Sequence, residues 1–357
     1  MTANYTGLSP FYERKLAAFG AESIADIEGR LPDHRYFRRD IVFGHRGLVT
    51  VLDALDAGED VELITGTMPS GPFHLGHKCL ADQIILFQEL GMDVTISMAD
   101  VEAYVSRGRS LERSRETAIE QYLVSFAALG LDLERTDIYL QSSGDSAYHT
   151  LGTLLSRNLD TETFERNYGT LDPGKMSTSL LQYADILKPQ LPAAGGPKPT
   201  LTPIGIDQEN HLTTCRSVAE AYDRTEFHAP AVTYHRFLRG FDGSKMSSSQ
   251  PSTFVSLADA PEEGVAKIET MTPGPLDDEV VGGEAAADVL FDLLEFHLIE
   301  DDEELARVER AFETGDYSFA DLRHLTAERL ESLLAEFTRR REEAKPVVDQ
   351  YIAEQGF

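Results

Sequence analysis

Residues 61–80, VELITGTMPSGPFHLGHKCL, limit what this chain can become more than any other stretch. Val61, Leu63 and Ile64 have the β-branched and apolar character of a buried strand. Gly66-Thr67-Met68-Pro69-Ser70-Gly71-Pro72 then interrupts the run with turn formers, and a helical pattern opens at Phe73. His74 and His77 stand three apart, so both imidazoles project from one face of the helix's first turn. Gly76 between them leaves backbone open to a close ligand. Unpaired N–H groups and the macrodipole at such a helix end favour anions, which makes a polyphosphate the natural occupant. Taken alone, the two histidines are equally compatible with ordinary surface or core roles.

A second stretch breaks that tie. Gly243-Ser244-Lys245-Met246-Ser247-Ser248-Ser249 is a Gly-led loop with one lysine among hydroxyls. Together with His74-Leu75-Gly76-His77 it resembles the two signatures of class I aminoacyl-tRNA synthetases, His-x-Gly-His and Lys-Met-Ser-x-Ser, both complete and in the right order. Further upstream, Tyr36-Phe37-Arg38-Arg39-Asp40-Ile41-Val42-Phe43-Gly44-His45-Arg46-Gly47 mixes aromatics with arginines. On composition this is a surface helix docked on the main domain. With LDALDAGEDVELITG behind it, it resembles the segment before the first strand in archaeal and eukaryotic tryptophanyl-tRNA synthetases.

The rest of the chain alternates. Val94-Thr95-Ile96-Ser97-Met98 reads as a short buried strand, residues 110–130 as an amphipathic helix, Asp137-Ile138-Tyr139-Leu140-Gln141 as a strand, and residues 201–205 as another, leading into a helix from Ile206. This β–α alternation predicts an α/β fold: a Rossmann-like, doubly wound parallel sheet whose ligands lie beyond the strands' C-terminal ends, with a C-terminal α-helical domain. The expected division is a helical lead-in over residues 1–60, a catalytic domain over 61–270 with a helical insertion around 145–187, and helices over 284–357. The Pro-, Gly- and acid-rich run 271–283 marks the boundary, and the resemblance makes the last part an anticodon-binding domain. Lys175-Met176-Ser177 imitates the downstream loop, but helical spacing follows it, so it reads as a helix start. Arg339-Arg340-Arg341, the dense basic run of the last helix, lies among glutamates and reads as a solvated, ion-paired face.

Charge bounds the setting. The chain holds 61 Asp and Glu against 32 Lys and Arg, a formal net of −29, with eight lysines and 24 arginines. Such a field repels nucleic acid at low ionic strength. At molar salt the Debye length shrinks to about 3 Å, so the acidity suits a salt-accumulating (halophilic) cell and describes the solvent rather than the substrate. There is no apolar run of about eighteen residues and no basic-then-apolar leader in the opening residues, so a cytoplasmic protein without a membrane anchor is expected. Cys79 and Cys215, each in a helical stretch and outside any Cys/His cluster, read as buried reduced thiols.

The resemblance implies ATP-dependent ligation of an amino acid to tRNA through an aminoacyl-adenylate. Such chemistry needs no side-chain nucleophile: the protein holds the substrates in line and stabilises spreading phosphate charge. By resemblance, His74, His77, Lys245, Ser247 and Ser248 carry catalysis. ATP is held by Gly66, Thr67, Met68, Gly205, Asp207 and Met246 together with His74, Gly76, His77 and Lys245, and Mg2+ travels with the ATP. Asp207 taken alone could equally be a helix cap. The amino-acid pocket is implied at Ile64, Ser97, Glu102, Gln182, Asp185 and Gln208. Ile64 and Ser97 depart from the eukaryotic tryptophan pattern, which has Tyr and Gln there, whereas Gln182-Tyr183-Ala184-Asp185-Ile186-Leu187 resembles the bacterial tryptophan enzymes, whose Asp accepts the indole N–H. Tryptophan with tRNA-Trp is therefore expected. A tyrosine enzyme is the alternative, and a synthetase-like sensor or interaction protein that charges no tRNA is the second. A homodimer is implied by the family resemblance.

Overall fold

The computed structural model describes residues 8–246, 251–271, 285–355 and 357. Among the described residues there are seven strands: β1 (Glu22–Ser23), β2 (Val42–Arg46), β3 (Glu62–Thr67), β4 (Asp93–Met98), β5 (Thr136–Leu140), β6 (Thr200–Gly205) and β7 (Ala231–His235). The chain divides into two compact units. One comprises residues 1–44, 71–82 and 235–346; the other comprises 45–70, 83–234 and 347–357.

The second unit carries the doubly wound sheet, in the order β7-β6-β3-β4-β5. β3 pairs in parallel with both β4 and β6, and β4 with β5. From β3 the chain winds outward to β4 and β5, then returns to lay β6 on the other side of β3. The order therefore reverses between β3 and β6, and the crevice at such a reversal is where an open α/β sheet binds its ligand. Gly66 lies in the last turn of β3 and Gly205 ends β6. The central strands read as continuous apolar runs because both faces are covered: Leu63, Ile64, Val94, Ile96 and Leu201 are almost wholly buried. The edge strand β5 is capped by a side chain, since the Tyr351 hydroxyl accepts from the Ile138 N–H and donates to the Thr136 carbonyl, each at 3.0 Å.

Ahead of β3, Leu48–Asp56 is helical as expected, but Val42–Arg46 is a strand. Ile41, Val42 and Phe43 are all fully buried. A strand buried on both faces shows no period of two, so hydrophobic spacing does not separate it from helix. β7 is a further strand that the sequence reading did not place. The helix after the first turn starts at Leu75 rather than Phe73, because Phe73 and His74 pair as extended backbone with residues 255–257.

The C-terminal part is helical as expected. Helix Ala285–Leu293 runs into a π-helical turn, Leu294–Leu298, and is followed by helices Asp302–Thr314 and Phe319–Gln355. Leu322, Leu330, Leu334 and Phe337 form the buried stripe of the last. Arg339 pairs with Glu336 and Glu343, and Arg340 with Glu336, on an exposed face. The stretch with Lys175 is indeed a helix start: Asp172 caps helix Pro173–Leu187 by accepting from the Lys175 N–H. Cys79 and Cys215 are free and buried. Most of the expected boundary, residues 272–283, lies outside the described residues.

Candidate active site

His74 and His77 of the first signature lie near Lys245 and Met246, the described part of the second, within the first unit. The His74 and His77 rings stack with centroids 3.8 Å apart. The Gly76 N–H donates to His74 Nδ1 at 3.1 Å, and the His74 N–H to His77 Nδ1 at 3.2 Å. An Nδ1 that accepts is unprotonated, so each ring carries its proton on Nε2 and offers that N–H as a donor. Burial, aided by the Lys245 charge, pushes His74 down to about 4, and burial, His74 and Lys245 hold His77 well below the ordinary histidine range. Both imidazoles are thus neutral donors near pH 7, while the positive charge nearby belongs to Lys245.

Lys245 sits on a hairpin whose base is fastened on both sides. The Met246 N–H bonds the Leu238 carbonyl at 2.9 Å, Arg239 and Lys245 face each other as a bridge, and the Phe241 N–H bonds the Thr253 carbonyl at 2.8 Å. Gly243 turns the hairpin with φ of 83°, a left-handed conformation that glycine adopts at no steric cost. Beyond the hairpin, residues 255–257 pair with Phe73, His74 and Leu75, so one end of the Lys245 loop is laced to the histidine turn by backbone hydrogen bonds. A Cβ at Gly76 would lie 3.0 Å from His74 Cε1 and 3.8 Å from Met246 Sδ, which places Met246 beside that turn. Ser247 and Ser248 lie outside the described residues.

The second unit gathers the residues expected at the amino acid. Parallel in-register pairing puts Ile64 opposite Thr95, Gly66 opposite Ser97, and Ser97 opposite Tyr139, so Ile64, Ser97 and Tyr139 share one face of the sheet. Helix Pro173–Leu187 packs against β3 and brings Asp185. The Asp185 carboxylate is buried; it accepts from the Tyr139 hydroxyl and from Gln141 Nε2, each at 2.7 Å. Burial raises it to about 6 against the opposing pull of Tyr139, Gln141, Tyr148 and Ser97. Gln141 Oε1 in turn accepts from the Glu102 N–H at 3.3 Å, while the Glu102 carboxylate faces Lys175 at 3.7 Å. Gln182 is half-buried one turn before Asp185. At the end of β6, Gln208 donates to the exposed Asp207 at 2.7 Å. Thr67 accepts from the Ala99 N–H and Met68 from the Tyr122 hydroxyl, fixing the loop after β3 with Gly66 exposed.

In the second unit these are loops and donors at and near the carboxyl ends of parallel strands, where an open α/β sheet binds its ligands. The family described as class I tRNA synthetases (W and Y) matches residues 56–335. The chain belongs to that family. Tryptophan--tRNA ligase of Hyperthermus butylicus is 36% identical over 96% of this chain and 94% of its own length. That of Methanocaldococcus jannaschii is 34% identical over 94% and 93%. Among solved structures, the tryptophanyl-tRNA synthetase of Aeropyrum pernix superposes with a TM-score of 0.87 at 34% identity, covering 95% of each chain. The tryptophanyl-tRNA synthetase of Encephalitozoon cuniculi, at 21% identity and a TM-score of 0.77, shares the fold.

Within this synthetase fold, sequence reasoning missed Tyr139, Gln141 and Tyr148, the partners of Asp185. Their signal was weak. Tyr139 and Gln141 sit at the end of β5, where ligand-facing residues of a parallel sheet collect, but nothing in their spacing points to a helix 44 residues further on.

Proposed function

We propose that this synthetase activates L-tryptophan with ATP and transfers it to tRNA-Trp, releasing pyrophosphate and AMP. The observation that carries the adenylation step is the juxtaposition of two neutral Nε2–H donors with the Lys245 loop, laced together through residues 255–257. In this reading His74 and His77 hold the phosphates and adjoining ribose as donors. Gly76 admits the adenosine, and Lys245 neutralises pyrophosphate as it leaves, with Ser247 and Ser248 as supporting donors. ATP is also the assigned ligand of Met246 in the first unit and of Gly66, Thr67, Met68, Gly205 and Asp207 in the second. The reversal of strand order between β3 and β6 supports those assignments in the second unit. Mg2+ arrives on the ATP. Among the described residues no three His, Cys, Asp or Glu side chains cluster as a metal cage, and the chain's own work is to bind and orient.

Ile64, Ser97, Glu102, Gln182, Asp185 and Gln208 form the amino-acid pocket in this reading. Asp185 is the selector. Its buried carboxylate, held by Tyr139 and Gln141 with Tyr148 and Ser97 beside it, is the charged acceptor this reading offers to an indole N–H, and a ligand without that donor forgoes the bond. Residues 284–357 serve as the anticodon-reading part, 61–270 as the catalytic part with 1–60 leading into it, in a cytoplasmic homodimer. Among the described residues no helix is long and apolar enough to cross a membrane.

The test is ATP–pyrophosphate exchange with each of the twenty amino acids at high salt. Tryptophan-dependent exchange is expected. Tyrosine-dependent exchange instead reassigns the substrate, and none at all refutes the ligase. In the same assay Lys245→Ala should cut exchange about a hundredfold or more while tryptophan binding persists, the scale of one lost electrostatic stabiliser.

A further inference from the structure

Behind both signature elements of the first unit lies one helical segment, residues 288–297, whose side chains neither signature accounts for. Toward the Lys245 hairpin it presents Asp292 and Asp288. Arg239, the residue bridged to Lys245, forks onto Asp292 with Nε at 2.6 Å and Nη2 at 2.7 Å, and reaches Asp288 with Nη1 at 3.2 Å. All three are at least nine-tenths buried. One turn on, Glu295 pairs with buried Arg236 at 2.5 Å. Toward the histidine turn the same segment presents His297, whose Nε2 lies 3.0 Å from the Leu75 carbonyl, in the first turn of the helix that His74 and His77 open. A carbonyl only accepts, so Nε2 carries the proton and donates. Nδ1 faces the Tyr36 hydroxyl at 3.3 Å, and Tyr36 donates to Asp82 at 2.6 Å, which also holds Lys78 at 2.5 Å, directly after His77. The segment's other side is held by main-chain acceptors: Arg35 bonds the Phe296 carbonyl and Arg39 those of Glu295 and Ile299.

We propose that residues 288–297 act as a strut that fastens the root of the Lys245 hairpin and the tip of the histidine helix to one rigid element, with Arg239 and His297 as positioning residues for adenylate formation. The bidentate fork is what makes the first clamp directional: a guanidinium held by two parallel hydrogen bonds cannot swivel as an ammonium can. The buried carbonyl bond does the same for the second. Arg239 and His297 face the backbone and side chains named here, so they act through the geometry of Lys245, His74 and His77.

The inference rests on the ligase reading, and the experiment separates the two. ATP–pyrophosphate exchange with tryptophan is measured for the wild type, Arg239→Lys, Asp288→Asn, His297→Leu and His297→Gln, alongside titration of competent sites by the stoichiometric burst of adenylate. A residue with a merely structural role loses competent sites on substitution, whereas a positioning residue loses rate per site. Arg239→Lys keeps the charge and loses the fork, and His297→Leu loses the donor; each is expected to lower kcat per competent site about tenfold or more, since a displacement near 1 Å costs on the order of a hundredfold. KM for tryptophan should stay within twofold. His297→Gln, which restores a donor at the Nε2 position, should recover most of the loss. Asp288→Asn, which keeps the Asp292 fork intact, should fall less than Arg239→Lys. A kcat per competent site within twofold of wild type for Arg239→Lys and His297→Leu overturns the strut. Absence of exchange in the wild type with every amino acid overturns the ligase and the strut with it.

Discussion

Gly76→Ala is expected to separate activity from stability in this synthetase. A Cβ on residue 76 would stand 3.0 Å from His74 Cε1 and 3.1 Å from His74 Nδ1, whereas carbon atoms rest at about 3.5–4.0 Å. The imidazole must therefore retreat by roughly 0.5 Å or more. It has little room: it stacks on His77 at 3.8 Å and lies 5.0 Å from the Phe254 ring, and its Nδ1 is tied to the Gly76 N–H. Either that hydrogen bond lengthens or the pair of rings shifts, and the two Nε2 donors leave their common aim. Taking on the order of a hundredfold for 1 Å of misplacement, half that displacement predicts about a tenfold fall in kcat for ATP–pyrophosphate exchange, or about 1.4 kcal/mol. Stability should run the other way. Residue 76 is helical with an ordinary φ, so alanine trims the freedom of the unfolded chain by about 0.4–1 kcal/mol, which offsets the crowding. The assays are exchange kinetics and urea unfolding of the same preparation. Exchange within twofold of wild type would refute the argument that Gly76 is there to let His74 stand where it does. A collapse of stability with the rate per active site intact would refute it too.

Asp185→Ala should raise KM for tryptophan at least tenfold, and should also destabilise the fold by about 1–3 kcal/mol for each buried donor left without its acceptor, here Tyr139 and Gln141; an unchanged KM would remove Asp185 from the pocket. Acid should weaken the fold through the histidines. His74 is lowered from 6.5 to about 4, and His77 and His297 lie well below 6.5, so the unfolded chain binds more protons and their contribution, full above pH 6.5, is lost as pH falls toward 4. At about 1.4 kcal/mol per pH unit of displacement, His74 alone accounts for ~3 kcal/mol. Asp185 and Glu295, both raised to about 6, act oppositely: their ionisation penalises the fold above pH 6 and is relieved below it. His34 and His211, likewise lowered by burial from 6.5 to about 4, act with His74 and together outweigh the two carboxyls, so the urea midpoint should fall between pH 6.5 and pH 4.5; a constant or rising midpoint contradicts the neutral-imidazole assignment. Finally, a chain with 61 acidic and 32 basic side chains should gain both thermal stability and exchange activity as KCl rises from about 0.1 M to molar levels, where the Debye length falls from about 10 to 3 Å. Equal behaviour at both ends would dissociate its acidity from salt.

What could be read from residue order was whatever depends on neighbours in the chain. The strand, the turn and the two imidazoles one helical turn apart follow from side-chain period and turn chemistry, as do the hydroxyl-rich lysine loop, the decoy helix start at Lys175 and the amphipathic stripe from Leu322 to Phe337. The alternation of strands and helices likewise carried the layered fold. Contacts between distant segments were decided by packing. The in-register pairing of β3, β4 and β5 sets Ile64, Ser97 and Tyr139 on one face, and the docking of helix Pro173–Leu187 against β3 delivers Asp185 to Tyr139 and Gln141. β2 was hidden because burial on both faces erases the period that would betray it. The protonation of His74 and His77 needed the structure as well, since a hydrogen bond to Nδ1 chooses the tautomer and enclosure by protein sets the charge. Arg239 and His297 carry no signal in the sequence because their partners are defined by the fold: one guanidinium meets two carboxylates, and one imidazole meets a carbonyl, across separations of 49 to 222 residues.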